Sequence, residues 1–252
     1  MGGRFRVRVQ RRRLRTVFKL EPNPDGTWTE SVIHSFQGGT EDAVNPLGGL
    51  IVDAAGNLYG AAGEGGGAYG DGIVFKLAPN PDGTWTESVL HSFTGADGAI
   101  PAASLTFDAA GNLYGTTDDG GAACFYACGV VFKLAPNPDE TWTEGVLHSF
   151  TLGADGGEPS GALIFDSAGN LYGTASGGGA DGHGVVFKLT PTSTGWRETV
   201  LHNFIGFGKY PAGPLVLDPV GNLYGTASDG NHAFDYGLVF EITRVAAVDS
   251  RQ

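Results

Sequence analysis

Four histidines, His34, His91, His148 and His202, each stand six residues after a tryptophan, Trp28, Trp85, Trp142 and Trp196. A ring of four imidazoles could bind a metal ion or a ligand, and four exposed indoles could act as stacking platforms for sugars. Four aspartates at equivalent places, Asp53, Asp108, Asp166 and Asp218, could serve as catalytic carboxylates or calcium ligands. Cys124 and Cys128, in "GAACFYACG", could form a local disulfide or remain two free thiols. A zinc site wants four ligands, and no second Cys or His pair lies at suitable spacing.

What these residues can do depends on the elements that carry them. The phrase "NPDGTWTESVIHSF" starts at Asn23, returns as "NPDGTWTESVLHSF" at Asn80 and as "NPDETWTEGVLHSF" at Asn137, and is worn to "TSTGWRETVLHNF" from Thr192. "DAAGNLYG" at Asp53 and Asp108 returns as "DSAGNLYG" and "DPVGNLYG" at Asp166 and Asp218. Phe18, Phe75, Phe132, Phe187 and Phe240 mark a third phrase with steps of 57, 57, 55 and 53. A period near 55 residues is a modular array.

Each period holds four short segments rich in β-branched and aromatic residues, separated by turn residues, with no helical period. In D-x-x-G-N the Asp accepts from turn amides and the Gly takes positive φ. In N-P-D-G the Pro fixes φ and the Gly completes the reversal. Glu140 replaces that Gly in the third copy, so the geometry is either relaxed there or strained. Labelled A to D from the axis outward, the segments predict an all-β fold, a β-propeller of four four-stranded blades. Small residues before strand A suit a crowded axis, and Trp on strand D suits the wide rim.

The chain has four A, four B, five C and four D segments and opens with C and D. The expectation is a ring closed by the N-terminal strand D completing the last blade. The alternatives are an open arc of a longer array, or two chains sharing one ring. Closure protects sheet edges. The expected organisation is a basic leader over residues 1–15, one propeller domain over 16–244, and a tail over 245–252.

The phrases "LHSFTGADGAIPAASLTFDAAGNLYGTT" and "GVVFKLAPNPD" resemble the GloVer (Gloeo/Verruco) tandem repeat of bacterial surface and secreted proteins. The likeness covers residues 14 to 243. It implies a propeller-forming extracellular protein, of a family whose activities are largely unknown. The "DxxGNLY" phrase is also similar to that of NHL and gluconolactonase-type propellers, which include binding proteins and enzymes.

Seven arginines crowd the first 15 residues, and the remainder holds 8 basic against 27 acidic residues, a net of about −19. An acidic body repels phosphate, so nucleic acid is not an expected partner. No apolar run reaches the roughly 18 residues of a membrane span. The leader lacks the apolar stretch of a secretory signal, so secretion or surface display is an expectation from the resemblance alone. No phosphate loop, G-x-S-x-G elbow or EF-hand loop is present.

On the outer strand the four histidines stand far apart around the rim, so they and the tryptophans are read as blade-packing residues. By the period of two, Trp28, Glu30, Val32, His34 and Phe36 share one face. Function is expected where copies differ, in the B–C loops and the D–A connections, which alternating strand direction places on one face. The candidate binding residues there are Asn45, Tyr69, Asp97, Tyr126, Asp155, His183 and Tyr236. No catalytic residue is assigned. No cofactor is expected, with weak calcium ligation by Asn45, Asp97 and Asp155 the one exception considered.

Three functions follow: a non-enzymatic extracellular interaction or adhesion scaffold, taken first; a multivalent carbohydrate-binding, lectin-like propeller; and a lactonase- or lyase-like enzyme. The expected partner is a protein or glycan at the variable face, and the expected state is a monomer.

Overall fold

A computed structural model describes residues 16–40, 42–122, 124, 127–206, 208–229 and 237–243. Their secondary structure is all β. Strands β1 (Thr16–Pro22) and β2 (Trp28–Ser35) form a hairpin, and β3 (Ala43–Val44) opens the first complete unit. That unit continues through β4 (Ile51–Val52), β5 (Leu58–Ala62), β6 (Glu64–Gly65), β7 (Ile73–Pro79) and β8 (Trp85–Ser92). The second unit holds β9 (Thr106–Phe107), β10 (Leu113–Thr117), β11 (Val130–Pro136) and β12 (Trp142–Ser149). The third holds β13 (Ile164–Phe165), β14 (Leu171–Ala175), β15 (Val185–Thr192) and β16 (Gly195–Asn203). The last holds β17 (Lys209–Pro211), β18 (Val216–Leu217), β19 (Leu223–Asp229) and β20 (Leu238–Ile242).

Three sheets are complete antiparallel A-B-C-D meanders: β4-β5-β7-β8, β9-β10-β11-β12 and β13-β14-β15-β16. This is a propeller-like array. Its core lies between sheets rather than within them. One apolar cluster joins Val17 and Phe36 of the hairpin to Ile73, Phe75 and Leu77 of the next sheet. The following clusters join Val74 and Phe93 to Phe132, then Val131 and Phe150 to Phe187, then Val186 and Phe204 to Leu223. At each step the Phe that ends strand D meets a strand-C Phe of the next sheet edge-on, as Phe93 meets Phe132 at 5.1 Å between centroids.

The turns form for local reasons. Asp108 accepts backbone hydrogen bonds from Ala110 and Asn112, and its other oxygen accepts from Asn112 Nδ2 and Tyr114 Oη at 2.6 and 3.0 Å. Asp53, Asp166 and Asp218 hold the same network. Burial works to raise these four carboxyls, and the hydrogen bonds outweigh it and lower them. Gly111 has φ +82°. At the other turn, Glu140 adopts φ +67°, the left-handed geometry of Gly26 and Gly83 at +83° and +85°, so the third copy keeps the turn under strain.

The ladder of strands C and D departs from a strict period of two. Val74 pairs with His91 and Phe75 with Val89, which leaves Leu90 as a bulged residue. The same shift occurs in the hairpin β1–β2 and in the second and third sheets. A bulge reverses the face presented by the residues beyond it. Trp85 and Glu87 therefore turn toward the preceding sheet, and His91 and Phe93 toward the following one. The single shared face expected for Trp28 through Phe36 is split in two.

Closure also differs from the expectation. β2 pairs with β1 and β20 pairs with β19; the last sheet is β18-β19-β20 with β17 added beside β19. Among the described residues no strand pairs with the second edge of β20. The N-terminal hairpin packs against the first complete sheet through Val17 and Phe36, and β2 is not seen to complete the last sheet among the described residues.

Candidate functional site

Two sets of side chains stand out once the sheets are in place. The first is a row at the residue before each inward-leading proline. Asn45, Ile100, Glu158 and Tyr210 precede Pro46, Pro101, Pro159 and Pro211, and they have φ of 59°, 57°, 54° and 57°. Positive φ disfavours any side chain, most of all a β-branched one such as Ile100. Neighbouring loops enforce it. The Ile100 amide donates to the Asp71 carbonyl of the preceding B–C loop at 2.9 Å, and its carbonyl accepts from the Asp118 amide of the next at 3.0 Å. Glu158 is clamped likewise between the Cys128 carbonyl and the Ser176 amide. Tyr210 is held by the His183 carbonyl and by Ser228 Oγ. Persistent strain of this kind requires surroundings that over-determine it.

These bonds put the B–C loops and the D–A connections on one face. The residue at the clamped position differs in every copy: amide, aliphatic, carboxylate, phenol. Asn45 Nδ2 donates to Glu64, Glu158 accepts from Ser176 Oγ at 3.2 Å, and the Tyr210 ring stands edge-on to His183 at 6.2 Å. Burial, then the charges of Glu158 and Asp119, hold the Asp118 carboxyl above its usual range. Sequence reasoning reached Asn45 and His183 but missed Ile100, Glu158 and Tyr210. The signal was the recurring X-Pro dipeptide, whose variable first residue carries no strand or turn signature.

Of the other candidates, Tyr69 is 79% exposed on the B–C loop of the first complete unit. Tyr126 and Tyr236 lie outside the described residues. Cys124 and Cys128 are joined by a disulfide in the second B–C loop. Asp97 and Asp155 turn inward from the loop face to the second set.

That second set sits at the sheet junctions. Asp97 accepts from the Thr94 amide and hydroxyl at 2.8 and 2.9 Å and meets His91 Nε2 at 2.9 Å. Asp155 accepts from the Thr151 amide and hydroxyl, with His148 Nε2 at 3.5 Å. His34 Nε2 lies 3.2 Å from Glu87 of the next sheet without hydrogen-bond alignment. Each junction thus gathers a His, an Asp of the following connection and a Glu from the next strand D. Burial, with Asp42 beside it, pushes Glu87 up to about 7; burial, with Asp155 nearby, pushes Glu198 up to about 7. Glu144 is raised by burial too, His91 opposing and Asp97 adding. Burial lowers His34 and His148, and nearby Asp charge opposes it. For Asp97 burial acts upward, but its bonds to His91 and Thr94 bring it down to about 2.

Donor atoms of His34, Asp42 and Glu87 lie within 4.8 Å of one another, the one such group among the described residues. His and carboxylate are ligands for zinc. Asp42, however, already accepts from the amides of Gln37, Gly38 and Ala43. The same residue types recur at the next two junctions, as His91, Asp97 and Glu144 and as His148, Asp155 and Glu198, and form clasps between neighbouring sheets in which one oxygen each of Glu87, Glu144 and Glu198 is buried without a hydrogen-bond partner. Asp97 and Asp155 thus hydrogen-bond within their own connections, to Thr94 and Thr151.

Comparison with known proteins adds the following. The family model described as the Gloeobacter/Verrucomicrobia repeat matches residues 13–240. A search of curated proteins finds no match. Among solved structures, a Bacteroides uniformis protein provisionally assigned as a 6-phosphogluconolactonase aligns with a TM-score of 0.52 at 16% identity, over 90% of this chain and 62% of its own. PorZ, a bacterial surface component of the type-IX secretion system of Porphyromonas gingivalis, aligns with a TM-score of 0.48 at 18% identity, over 87% of this chain and 28% of its own. A Dyadobacter fermentans protein of unknown function aligns with a TM-score of 0.47 at 12% identity, over 84% of this chain and 64% of its own. The chain spans less than two-thirds of the length of each. No helix among the described residues is long and apolar enough to cross a membrane.

Proposed function

This chain belongs to the Gloeobacter/Verrucomicrobia repeat family, and on that footing we propose that it is a non-enzymatic extracellular scaffold whose variable-loop face binds a protein or glycan. The observation that carries the reading is the row Asn45, Ile100, Glu158 and Tyr210. The backbone is the same at all four positions and the chemistry is different at each. A rigid scaffold with variable loop residues is how binding surfaces are commonly built. Four unlike residues suit one extended ligand better than four identical sugar sites, so the scaffold reading stands ahead of the multivalent lectin. The repeated aspartates Asp53, Asp108, Asp166 and Asp218 support it too, since turn hydrogen bonds within the fold already engage them. The Cys124–Cys128 disulfide favours an oxidising compartment.

The test is a glycan array and a surface-protein binding screen with the labelled chain, followed by Tyr210→Ala and Glu158→Ala. Binding that falls at least about tenfold in these variants, with melting unchanged, supports the proposal. Steady turnover of sugar lactones by the purified chain overturns the non-enzymatic reading.

A further inference from the structure

The three junctions share residue types but not geometry. The difference begins in the sequence: Asp42 follows its His by eight residues, Asp97 by six and Asp155 by seven. At the second junction the shorter connection brings Asp97 onto His91 Nε2 at 2.9 Å, and the imidazole is satisfied. At the third, His148 Nε2 stands 3.5 Å from Asp155, and Glu198 does not join them in a group of three converging donors. At the first, the longer connection carries the Asp42 carboxylate into line with both His34 and Glu87.

Two atoms of that first group are left over. His34 Nε2 and Glu87 Oε1 are buried without a hydrogen-bond partner. Their side chains are only 19% and 16% exposed, and buried polar atoms are normally paired. His34 Nε2 and Glu87 Oε2 lie 3.2 Å apart without hydrogen-bond alignment. Two ligands of a tetrahedral ion at about 2.0–2.1 Å stand about 3.3 Å apart, so this pair already has the spacing of neighbouring ligands. Two carboxylates converge here, and among the described residues neither pairs with Lys or Arg. A cation offsets that charge, which a water molecule cannot do.

We propose that His34, Asp42 and Glu87 form a zinc-type divalent metal site between the N-terminal hairpin and the first complete sheet. One imidazole nitrogen and two carboxylate oxygens suit zinc, with water in the fourth position; calcium and magnesium take oxygen shells. The amide bonds to Asp42 act as the outer-shell bonds that orient a ligating carboxylate. Its Oδ1 accepts one such bond, from Ala43, and keeps a second lone pair. The His34 ring is positioned by Phe36, edge-on at 4.6 Å, and Phe36 rests on the fully buried Phe75. In the metal-free chain burial and the Asp42 charge favour a proton on Glu87, and the ion displaces that proton to solvent.

The ligands come from three elements: β2, the first D–A connection and β8. The ion therefore fastens the connection to both sheets. Ala43 and Val44, directly after Asp42, pair with β6, and Asn45 of the clamped row follows them. Metal binding steadies the Asn45 corner of the variable-loop face.

The test uses the full chain without an affinity tag, its disulfide intact, stripped with a chelator and titrated with zinc by calorimetry. One zinc per chain and a raised melting temperature are expected. His34→Gln and Glu87→Gln should each weaken binding at least about tenfold, the loss that even an outer-shell change causes, while His91→Gln leaves it unchanged. Cobalt(II) on the unaltered chain provides a readout free of mutation: the visible absorption of a four-coordinate site, abolished by added zinc. The proposal is overturned by the absence of saturable zinc binding, by binding that His34→Gln does not weaken, by calcium held more tightly than zinc, or by a cobalt spectrum that stays that of the hydrated ion.

Discussion

Tyr114 meets Trp196 of the next sheet edge-on, with ring centroids 6.4 Å apart and its hydroxyl on Asp108 at 3.0 Å. A strand-D indole, a strand-B phenol and a turn carboxylate are thereby tied across one junction. Tyr172, the next copy of Tyr114, lines a cavity at the last sheet. Trp196→Ala should cost about 2 kcal/mol, below the 3–5 kcal/mol of a fully buried aromatic because Trp196 is half-buried. Trp28→Ala should leave the melting almost unchanged, because Trp28 stands mostly in solvent. Denaturant melts of both variants at low concentration check the contrast.

The Tyr–Asp turn contributes separately. Tyr114→Phe keeps the ring packing and removes one hydrogen bond to Asp108, so it should cost about 0.5–1.5 kcal/mol. Burial, then the bond to Asp53 and its charge, pushes the Tyr59 hydroxyl up to about 12. Spectroscopic titration should find Tyr59 ionising well above the ordinary tyrosine value of 10.0.

Glu140 stores strain that glycine relieves. Its φ of +67° costs an L-residue roughly 1–2 kcal/mol, and glycine's greater freedom in the unfolded chain returns part of that. Glu140→Gly should stabilise by about 1 kcal/mol. A melting midpoint that falls would show that the Glu140 side chain contributes more than its backbone costs.

Gly115 allows the strand-C ring to lie across strand B. A Cβ there would stand 2.6 Å from Phe132 Cζ and 2.9 Å from Leu105 Cδ2, both fully or nearly buried. Gly115→Ala should therefore destabilise by about 1–3 kcal/mol through overpacking. Gly111→Ala meets no atom within 4 Å and should cost less, through its φ alone.

The junction clasps set a pH profile. Glu87 and Glu198 titrate at about 7 when folded, against 4.5 when exposed. Between these values the folded chain holds protons that the unfolded chain has released. Their contribution is thus complete below pH 4.5 and lost as pH rises through about 7. His34 and His148, depressed below 6.5, impose a penalty at lower pH that is relieved as pH approaches 6.5. Asp97, held at about 2, stabilises above 3.8 and loses that contribution as pH falls through about 2. The melting temperature of the unaltered chain, taken relative to its Glu87→Gln, Glu198→Gln variant, should decline from about pH 4.5 to about 7 and level off above, where both states have released these protons. A difference that rises over that interval would rule out protonated carboxyls at the junctions.

Much of the architecture was legible in the sequence because it is local and repeated. Asp108, Gly111 and Asn112 specify a turn among near neighbours, and Val130 to Pro136 specify a strand by residue type. The four-strand unit follows from their order. The acidic charge and the X-Pro phrases were equally visible. What tertiary structure decided depends on contacts between units. The extra Leu90 in the strand C and D ladder turns Trp85 back and His91 forward, and no single-strand period contains that bulge. It is this reversal that brings a His of one sheet to a Glu of the next. The left-handed backbone of Ile100 arises from two flanking loops pulling on its amide and carbonyl, a force that the residue's own propensity opposes. Whether the ends meet was not written in the repeat, since every copy carries the same edges; it depends on how the sheets stack, which leaves Val239 and Trp28 uncovered at opposite ends of the array.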